Sequence, residues 1–264
     1  MKYSVLLSMT LFTSFIFSQN KTILFVMSAE DTLTLNNGAK QRQTGVFLNE
    51  FYLAYQSVIE AGYKVKFATP SGIKATIDNE SENDKYWKNK FDTKKEALRF
   101  VKENAAFRAP MTLEEAIATK EQYDGLIIPG GQGLMIDLIH DKNIPELLKH
   151  FASNQKPTGL ICHAPILIST IPKTENPYIG FKVNCVSPLE EFVIENFIMK
   201  GKPENRKIAK KLKKLGLKYR SGLPKANFSI KDRNLVTSQN PYSSDAFNEL
   251  FRKALIEYSQ MKTH

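Results

Sequence analysis

The residue pair in this chain that is best suited to chemistry is a cysteine followed by a histidine. Cys162 and His163 come directly after the apolar run Thr158 to Ile161, and Pro165 follows two residues later. The run predicts a buried strand, and the proline is typical of a first helical turn, where its missing N–H would have no partner. Cys162 is therefore predicted to lie on a strand-to-helix turn of the nucleophile-elbow type. A thiol near a helix start is expected to have a lowered pKa and to react as a thiolate.

A glycine-rich loop upstream of the cysteine completes the predicted site. Leu126 to Ile128 is predicted to be a strand, and it runs into Gly130, Gly131 and Gln132. Successive glycines allow backbone N–H groups to face a neighbouring site, as an oxyanion hole requires. We expect the two strand ends to form one active site.

Three kinds of chemistry are open to Cys162: nucleophilic catalysis, metal binding and redox exchange. The sequence contains no Cys-x-x-Cys and no His-x-x-x-His, and its four histidines are widely spread, so no metal site is predicted. A nucleophile needs a base, and the adjacent His163 is the candidate. Its orientation requires a carboxylate, which Glu190 or Glu191 could supply at the end of the next predicted strand.

A second carboxylate lies in an unexpected place. Glu50 falls among apolar positions of a helix predicted to be capped by Thr44 and to run to about Ala61. A carboxylate is costly there unless it has a partner or a role. Periodicity alone favours a solvated position at the edge of the apolar face.

The elements around these residues predict an α/β fold. Strand-like apolar runs alternate with amphipathic helices, which is typical of a parallel sheet covered on both faces. Further strands are predicted at Thr22–Met27, Tyr63–Ala68 and Phe181–Val186, a polar loop at Ser28–Gln43, and a C-terminal helix from Ser243 to about Gln260. Residues 19–264 are predicted to form one domain, with 72–110 as an insertion or cap.

The N-terminus has the pattern of an export signal. Met1 to Ser18 combines an early lysine, an apolar stretch and a small residue before Gln19, which predicts a cleaved signal peptide and a periplasmic or secreted protein. The apolar stretch is too short for a transmembrane helix, so stable membrane insertion is not expected. In an oxidising compartment the two cysteines could pair, but Cys185 lies in a strand pattern and is interpreted as a small buried residue.

The charge of the chain is concentrated in one segment. The 264 residues carry a net charge of +10, and Lys200 to Arg220 holds ten basic residues against one acidic residue. Ile208, Leu212 and Leu215 fall at helical spacing in the same segment, which favours a solvated basic helix with one core-facing side. No nucleic-acid partner is predicted, because neither aromatic interleaving nor a reader motif is present.

Four segments together resemble one protein superfamily. Pro129-Gly-Gly-Gln-Gly133, followed by a strand that ends in Cys162-His-Ala-Pro165, resembles the ThiJ/PfpI superfamily of the class I glutamine amidotransferase-like fold. Thr44-Gly-Val-Phe-Leu-Asn-Glu50 and Val186-Ser-Pro-Leu-Glu-Glu191 are similar to its glyoxalase III/heat-shock chaperone branch. The resemblance implies a flavodoxin-like three-layer sandwich with a mostly parallel sheet. It implies a catalytic set of Cys162, His163, Glu191 and Glu50.

The resemblance also implies a reaction. Members of the branch convert methylglyoxal to lactate without glutathione, metal or other cofactor, through a cysteine hemithioacetal whose oxyanion would face Gly131 and His163. Gly130, Gly131 and Gln132 are the corresponding oxyanion and substrate-binding residues. This chain has Gln132 where many relatives have histidine, and Ala164 where they have glycine, which affects substrate preference more than fold.

Other roles stay open on the same resemblance. A holding chaperone that binds unfolded proteins, a protein deglycase and a peptidase are the alternatives, and a homodimer is compatible with each. A glutamine amidotransferase is excluded, because its His-x-Glu pair would lie far downstream, where this chain has only His264.

Overall fold

The computed structural model describes residues 21–262, so the predicted signal peptide lies outside the described residues. The strands are β1 (Thr22–Val26), β2 (Thr32–Leu35), β3 (Lys40–Gln43), β4 (Lys64–Thr69), β5 (Met111–Thr112), β6 (Gly125–Ile128), β7 (Thr158–Ile161), β8 (Lys182–Val183), β9 (Lys218–Tyr219), β10 (Ser229–Asp232) and β11 (Leu235–Ser238). The α-helices are α1 (Leu48–Glu60), α2 (Phe91–Glu103), α3 (Ala105–Arg108), α4 (Leu113–Ala118), α5 (Asn143–Ser153), α6 (Pro188–Val193), α7 (Ile208–Leu215) and α8 (Ser244–Met261).

One seven-stranded sheet forms the centre of the protein, in the order β10-β11-β7-β6-β1-β4-β5. All neighbouring strands are parallel except β10, which pairs antiparallel with β11 at the edge. The apolar runs of β1, β6 and β7 are buried because helices cover both faces. Helices α1 and α8 pack together on one face and α4 and α5 on the other, which confirms the predicted three-layer α/β sandwich.

The order in which strands are added to the sheet reverses at β1, and this reversal determines where the site lies. β1 pairs with β4 on one side and with β6 on the other, so successive crossovers leave in opposite directions. A crevice forms at the carboxyl ends of strands at such a switch point, and ligands of open α/β sheets bind there. The loops after β6 and β7 both open into this crevice.

Three predicted boundaries are wrong, each for a tertiary reason. The predicted polar loop after β1 contains the hairpin β2–β3, whose Leu33 and Leu35 pack on Met199 in a small second core. The run Phe181–Val186 forms only the two-residue β8, which pairs with β9 outside the central sheet. Helix α1 begins at Leu48 rather than after Thr44, because Val46 is in extended bridges with Ile77 and Gly131.

The segment 72–110 contains α2, α3 and short 3₁₀ turns between β4 and β5. Trp87 of this segment is buried, and its indole N–H donates to the Ser81 carbonyl at 3.1 Å. The basic segment contains α7, with Ile208 and Leu212 buried as the helical spacing predicts. Among residues 21–262, no helix is long and apolar enough to cross a membrane.

Candidate active site

The turn at Cys162 has the geometry of a nucleophile elbow. Cys162 has a φ of 57° between β7 and a 3₁₀ helix, Ala164–Thr170. This left-handed conformation is uncommon for a residue with a side chain and is held only where the surroundings determine it. Here the Cys162 N–H donates to the Ser238 carbonyl at 2.8 Å, and its carbonyl accepts from the Val186 N–H at 2.9 Å. The neighbouring strand and the chain after β8 therefore hold the elbow.

Gly45, Gly130 and Gly131 allow the segments that form the site to come into direct backbone contact. A Cβ on Gly130 would collide with Oε2 of Glu50 and would lie 2.8 Å from the Cys162 Cβ. A Cβ on Gly131 would collide with the carbonyl of Gly45, and one on Gly45 with the carbonyl of Thr76. The absence of a side chain at Gly130 lets Glu50 and Cys162 both approach the position that its Cβ would occupy.

Glu50 is buried behind the cysteine and does not lie at a solvated edge. Its side chain is on α1, the residue is 1% exposed, and neither carboxyl oxygen has a hydrogen-bond partner. Burial raises the pKa of Glu50 to about 8; the nearby Cys162 thiol and Gly130 N–H offset part of the rise without completing a hydrogen bond. The periodicity-based interpretation is wrong, and at neutral pH the carboxyl is mostly protonated.

The predicted lowering of the thiol pKa is also wrong. Cys162 is 5% exposed, and burial raises the pKa of its thiol well above the ordinary value, with an ionised Glu50 raising it further. The helix that follows is a 3₁₀ helix, and its start does not outweigh this desolvation. Both groups therefore hold a proton in most molecules at neutral pH. Once the pair has lost one proton, a thiolate forms when Glu50 holds the proton that remains.

His163 contacts the cysteine and an amide. Its Nδ1 lies 3.1 Å from the Cys162 Sγ, and its Nε2 lies 2.9 Å from the Gln132 amide nitrogen. Burial lowers the pKa of His163 to about 4, so the ring is neutral. An amide nitrogen only donates, so Nε2 accepts and the single ring hydrogen is on Nδ1, facing the sulfur. His163 thus acts as a donor to a thiolate, and Gln132 fixes that tautomer.

Glu191 does not orient His163. Its carboxylate accepts from the Lys207 N–H, in a separate surface depression with Arg206, and burial raises its pKa. Glu190, one position earlier on α6, faces the cavity above Cys162 instead. Consecutive helical residues point about 100° apart. The prediction of Glu191 as the site carboxylate is therefore wrong, and the sequence alternative Glu190 lies at the site.

Glu190 organises the cavity wall through four hydrogen bonds. Its carboxylate accepts from the backbone N–H groups of Ser187 and Lys225 and from the side-chain amides of Gln239 and Asn240, at 2.8–3.0 Å. Ser187 and Glu190 form a capping box, a Ser-x-x-Glu spacing that the sequence also displays. That spacing was the available signal for choosing Glu190 over Glu191.

We expect Glu190→Gln to damage the site and Glu191→Gln to leave it intact. A glutamine at 190 directs its NH₂ group at donors, which leaves buried groups unpaired and costs about 1–3 kcal/mol of unfolding free energy. Turnover by Glu190→Gln should fall because the cavity wall that Glu190 holds is displaced. Glu191→Gln should keep the wild-type rate. Melting temperatures and kcat/KM of the two variants, measured side by side, check this. Equal effects of the two substitutions would contradict the placement.

A cavity of about 360 Å³ opens above these residues. Gly131, Gln132, Cys162 and His163 line its base, whereas Gly130 and Glu50 lie behind the sulfur. The walls are mainly apolar or aromatic, and their side chains come from five segments of the chain. These residues are Phe47, Tyr86, Val186, Val193, Ile194, Ile198, Met199, Pro224, Pro241 and Tyr242. Such an apolar pocket with a few converging polar groups is typical of a small-molecule site.

The remaining cysteine is structural. Cys162 and Cys185 are both free and buried, and the Cys185 Sγ contacts the Val186 carbonyl at 3.3 Å. No group of three or more potential metal-ligating side chains occurs in the stretch from residue 21 to residue 262.

Comparison with known proteins agrees with this geometry. A family described as ThiJ/PfpI family-like matches residues 42–187. The chain is 25% identical over 244 residues to "Protein/nucleic acid deglycase HchA" of Escherichia coli, covering 89% of this chain and 81% of that protein. The structure of glyoxalase III from Candida albicans is similar with a TM-score of 0.74 at 21% identity, over 89% of this chain and 98% of that one. Rapid Encystment Protein 24 KDa of Francisella tularensis gives a TM-score of 0.71 at 22% identity, over 89% and 99%.

Proposed function

Since the chain belongs to the ThiJ/PfpI-like family, as its sequence predicts, we propose that it converts methylglyoxal and related 2-oxoaldehydes to 2-hydroxy acids without glutathione. The observation that carries the proposal is the grouping of three side chains at one apolar cavity: two line its base, and the third is a carboxyl buried next to the cysteine. These are the Cys162 thiol, the protonated Glu50 carboxyl and the neutral His163 ring. The relatives named deglycase and glyoxalase III support an aldehyde as the substrate.

The first step is addition of sulfur to the aldehyde. In the fraction of molecules in which Glu50 is ionised, the Cys162 thiol passes its proton to the Glu50 carboxylate. The resulting thiolate attacks the aldehyde carbon, the C–S bond forms, and the carbonyl electrons move to oxygen. His163 donates from Nδ1 to the sulfur before the attack and so favours the thiolate. The backbone N–H groups of Gly131 and His163 are the proposed oxyanion donors, since both residues line the base of the cavity. The oxyanion then takes the proton from Glu50, which leaves a hemithioacetal and a carboxylate.

The second step moves a proton between two carbons. The Glu50 carboxylate removes the hydrogen on the former aldehyde carbon as a proton, which gives an enediolate with the negative charge on the ketone oxygen. Glu50 then returns the proton to the adjacent carbon, while the hydroxyl proton of the first carbon passes to the former ketone oxygen. The first carbon is thereby oxidised to a thioester and the second reduced to an alcohol, so no external oxidant or reductant is needed. Water cleaves the thioester, releasing the 2-hydroxy acid and the thiol. The raised pKa of Glu50 suits it to both giving and taking a proton near neutral pH.

The direct test is conversion of methylglyoxal by the purified protein with no thiol cofactor added. Proton NMR should show lactate appearing as methylglyoxal disappears, in equal amounts. Folded protein that forms no lactate would refute the proposed reaction.

An exposed apolar surface favours a second function, binding of unfolded protein. Leu189, Phe192, Val193 and Phe197, on α6 and the π-helical segment Ile194–Ile198 that follows it, are 40–67% exposed. Contiguous exposed apolar side chains mark interaction sites on soluble proteins. The surface adjoins the cavity mouth, because Val193 belongs to both.

We expect the double substitution Phe192→Lys and Phe197→Lys to weaken suppression of aggregation severalfold without reducing methylglyoxal turnover. Both rings contact each other outside the cavity, and charges there oppose apolar binding. Light scattering of a heated client protein measures the first effect. Cys162→Ala is the matched control, because it should abolish turnover and retain suppression. Unchanged scattering with the double variant would argue against this surface.

A further inference from the structure

We infer that the site prefers 2-oxoaldehydes whose substituent is bulky and apolar, and that methylglyoxal fills only part of it. The inference rests on the proposed function and adds the class of substrate. Three features of the cavity lead to it: its volume, the pairing of its charged groups, and one unpartnered oxygen at its base.

The cavity is larger than methylglyoxal requires. Its volume is about 360 Å³. A molecule with five heavy atoms occupies on the order of 100 Å³, judged from the ~30 Å³ share of one water molecule in the liquid. Most of the space above Cys162 would therefore stay unfilled in a methylglyoxal complex, and apolar surface would remain in contact with water. A six-carbon ring in place of the methyl group would cover that surface.

The side chains of the wall favour an apolar substituent. Val186, Val193, Ile194, Ile198 and Met199 form a continuous stretch of it, contributed by the chain after β8 and by α6 with its π-helical extension. Met199 is buried against the hairpin β2–β3, so its position is fixed from behind. Burying a ring against such a surface is favourable in proportion to the apolar area removed from water.

Six charged residues line the wall, and five of their side chains are paired or hydrogen-bonded; the sixth residue, Lys225, is exposed. Arg42 lies 3.6 Å from Asp78, and Lys85 lies 2.5 Å from Glu80, which also accepts from the Tyr86 hydroxyl at 2.8 Å. The Glu190 carboxylate is already engaged by four donors. A substrate with a carboxylate, phosphate or polyol tail would have to displace these contacts or extend to the exposed Lys225, whereas an apolar tail leaves them intact.

One polar atom at the base is left for the reacting end of the substrate. Gln132 is 8% exposed, its amide nitrogen is engaged by His163, and its Oε1 has no hydrogen-bond partner. An unpartnered buried acceptor is costly and calls for a donor. The hydroxyl of the hemithioacetal on Cys162 is such a donor. Gln132 thus orients the polar end of the substrate at the base and directs the substituent toward the apolar wall.

The test compares three 2-oxoaldehydes with the full-length protein: cyclohexylglyoxal, methylglyoxal and 3-deoxyglucosone, which carries a polyol tail. We expect kcat/KM for cyclohexylglyoxal to exceed that for methylglyoxal by about 10-fold or more, since one added methylene in an apolar pocket can supply that much. We expect 3-deoxyglucosone to be the poorest of the three. Methylglyoxal turned over as fast as cyclohexylglyoxal would overturn the inference and leave the proposed function standing. If the protein converted none of the three, the proposed function itself would be overturned.

Two variants test whether the apolar wall of the cavity causes the preference for a bulky apolar substituent. Val193→Asp places a charge on the cavity side of α6 at a residue that is 40% exposed, so folding should be retained. It should lower the cyclohexylglyoxal-to-methylglyoxal ratio of kcat/KM by about 10-fold. Phe197→Asp, on the same helical segment but outside the cavity and 67% exposed, is the matched control and should keep the wild-type ratio. Equal ratios in the two variants, with melting temperatures near that of the wild type, would overturn the inference.

Discussion

Cys162→Ala is expected to abolish turnover of 2-oxoaldehydes, with a loss on the order of 10³- to 10⁶-fold in kcat, the scale seen when a covalent nucleophile is removed. The substitution deletes only Sγ, which adjoins the cavity, and alanine keeps a Cβ in the strained left-handed turn. The bonds from the Cys162 backbone to Ser238 and Val186 do not involve the side chain, so the elbow should persist. Initial rates of lactate formation measure the effect.

The matched control is Cys185→Ala, which removes the other buried thiol of the described chain. Cys185 packs in the core, and its thiol donates a hydrogen bond to the Val186 carbonyl, so its loss should cost about 1 kcal/mol of stability and little activity. If the Cys185 variant lost the rate and the Cys162 variant kept it, the assignment of the nucleophile would be wrong.

Glu50→Gln should lower kcat/KM on 2-oxoaldehydes by about 10²- to 10⁴-fold, the usual contribution of a positioned acid–base group. Glutamine has nearly the same size, but it can neither hold the proton given up by Cys162 nor take the proton from carbon. Glu191→Gln, which makes the same chemical change outside the cavity, is the control for the rate. A variant with wild-type kcat/KM would return Glu50 to a structural role.

The same substitution should change the pH dependence of stability. The pKa of Glu50 is about 8 in the folded protein against an ordinary value of 4.5, so its contribution to stability is fully present below pH 4.5 and is lost as the pH rises through about 8. The free energy involved is on the order of 5 kcal/mol. Glutamine does not ionise, so the melting temperature of Glu50→Gln should exceed that of the wild type increasingly between about pH 5 and pH 8. A constant difference across that range would contradict the burial of an ionisable Glu50.

The parts of the fold set by local pattern could be predicted from sequence. The apolar runs of β1, β6 and β7 are buried on both faces, and such runs indicate strands of a covered parallel sheet. The order Ile161-Cys162-His163-Ala-Pro165 indicates the end of a strand, a turn and the start of a helix. Glu50 stood out because it interrupts an apolar face. Its role followed only from the resemblance, because periodicity cannot tell a buried carboxyl from a solvated one.

The errors concern contacts between segments distant in the chain. Thr44 looks like an N-cap, but the extended bridges of Val46 with Ile77 and Gly131 delay the helix by several residues. The choice between Glu190 and Glu191 depends on the rotation of α6 about its axis. The thiol pKa depends on the dehydrated setting of Cys162, which a helix-end argument leaves out. The helix start and the thiol pKa are not encoded in a short window of sequence, whereas the Ser187-x-x-Glu190 spacing was a local signal for the choice of carboxylate.

The contact of Gly45 with Gly131 has a consequence for how precisely the site is made. Backbone meets backbone there, and Gly45 in turn meets the carbonyl of Thr76, so no adjustable side chain lies between the loop after β6 and the chain that leads into α1. Reactive groups must be held within about 0.5 Å of their productive arrangement. Two peptide groups in direct contact fix the distance between their segments closely. A flexible side chain at either glycine would allow that distance to vary. The precision with which Glu50 and Cys162 are placed is therefore set by two other residues, Gly45 and Gly131, which have no side chains.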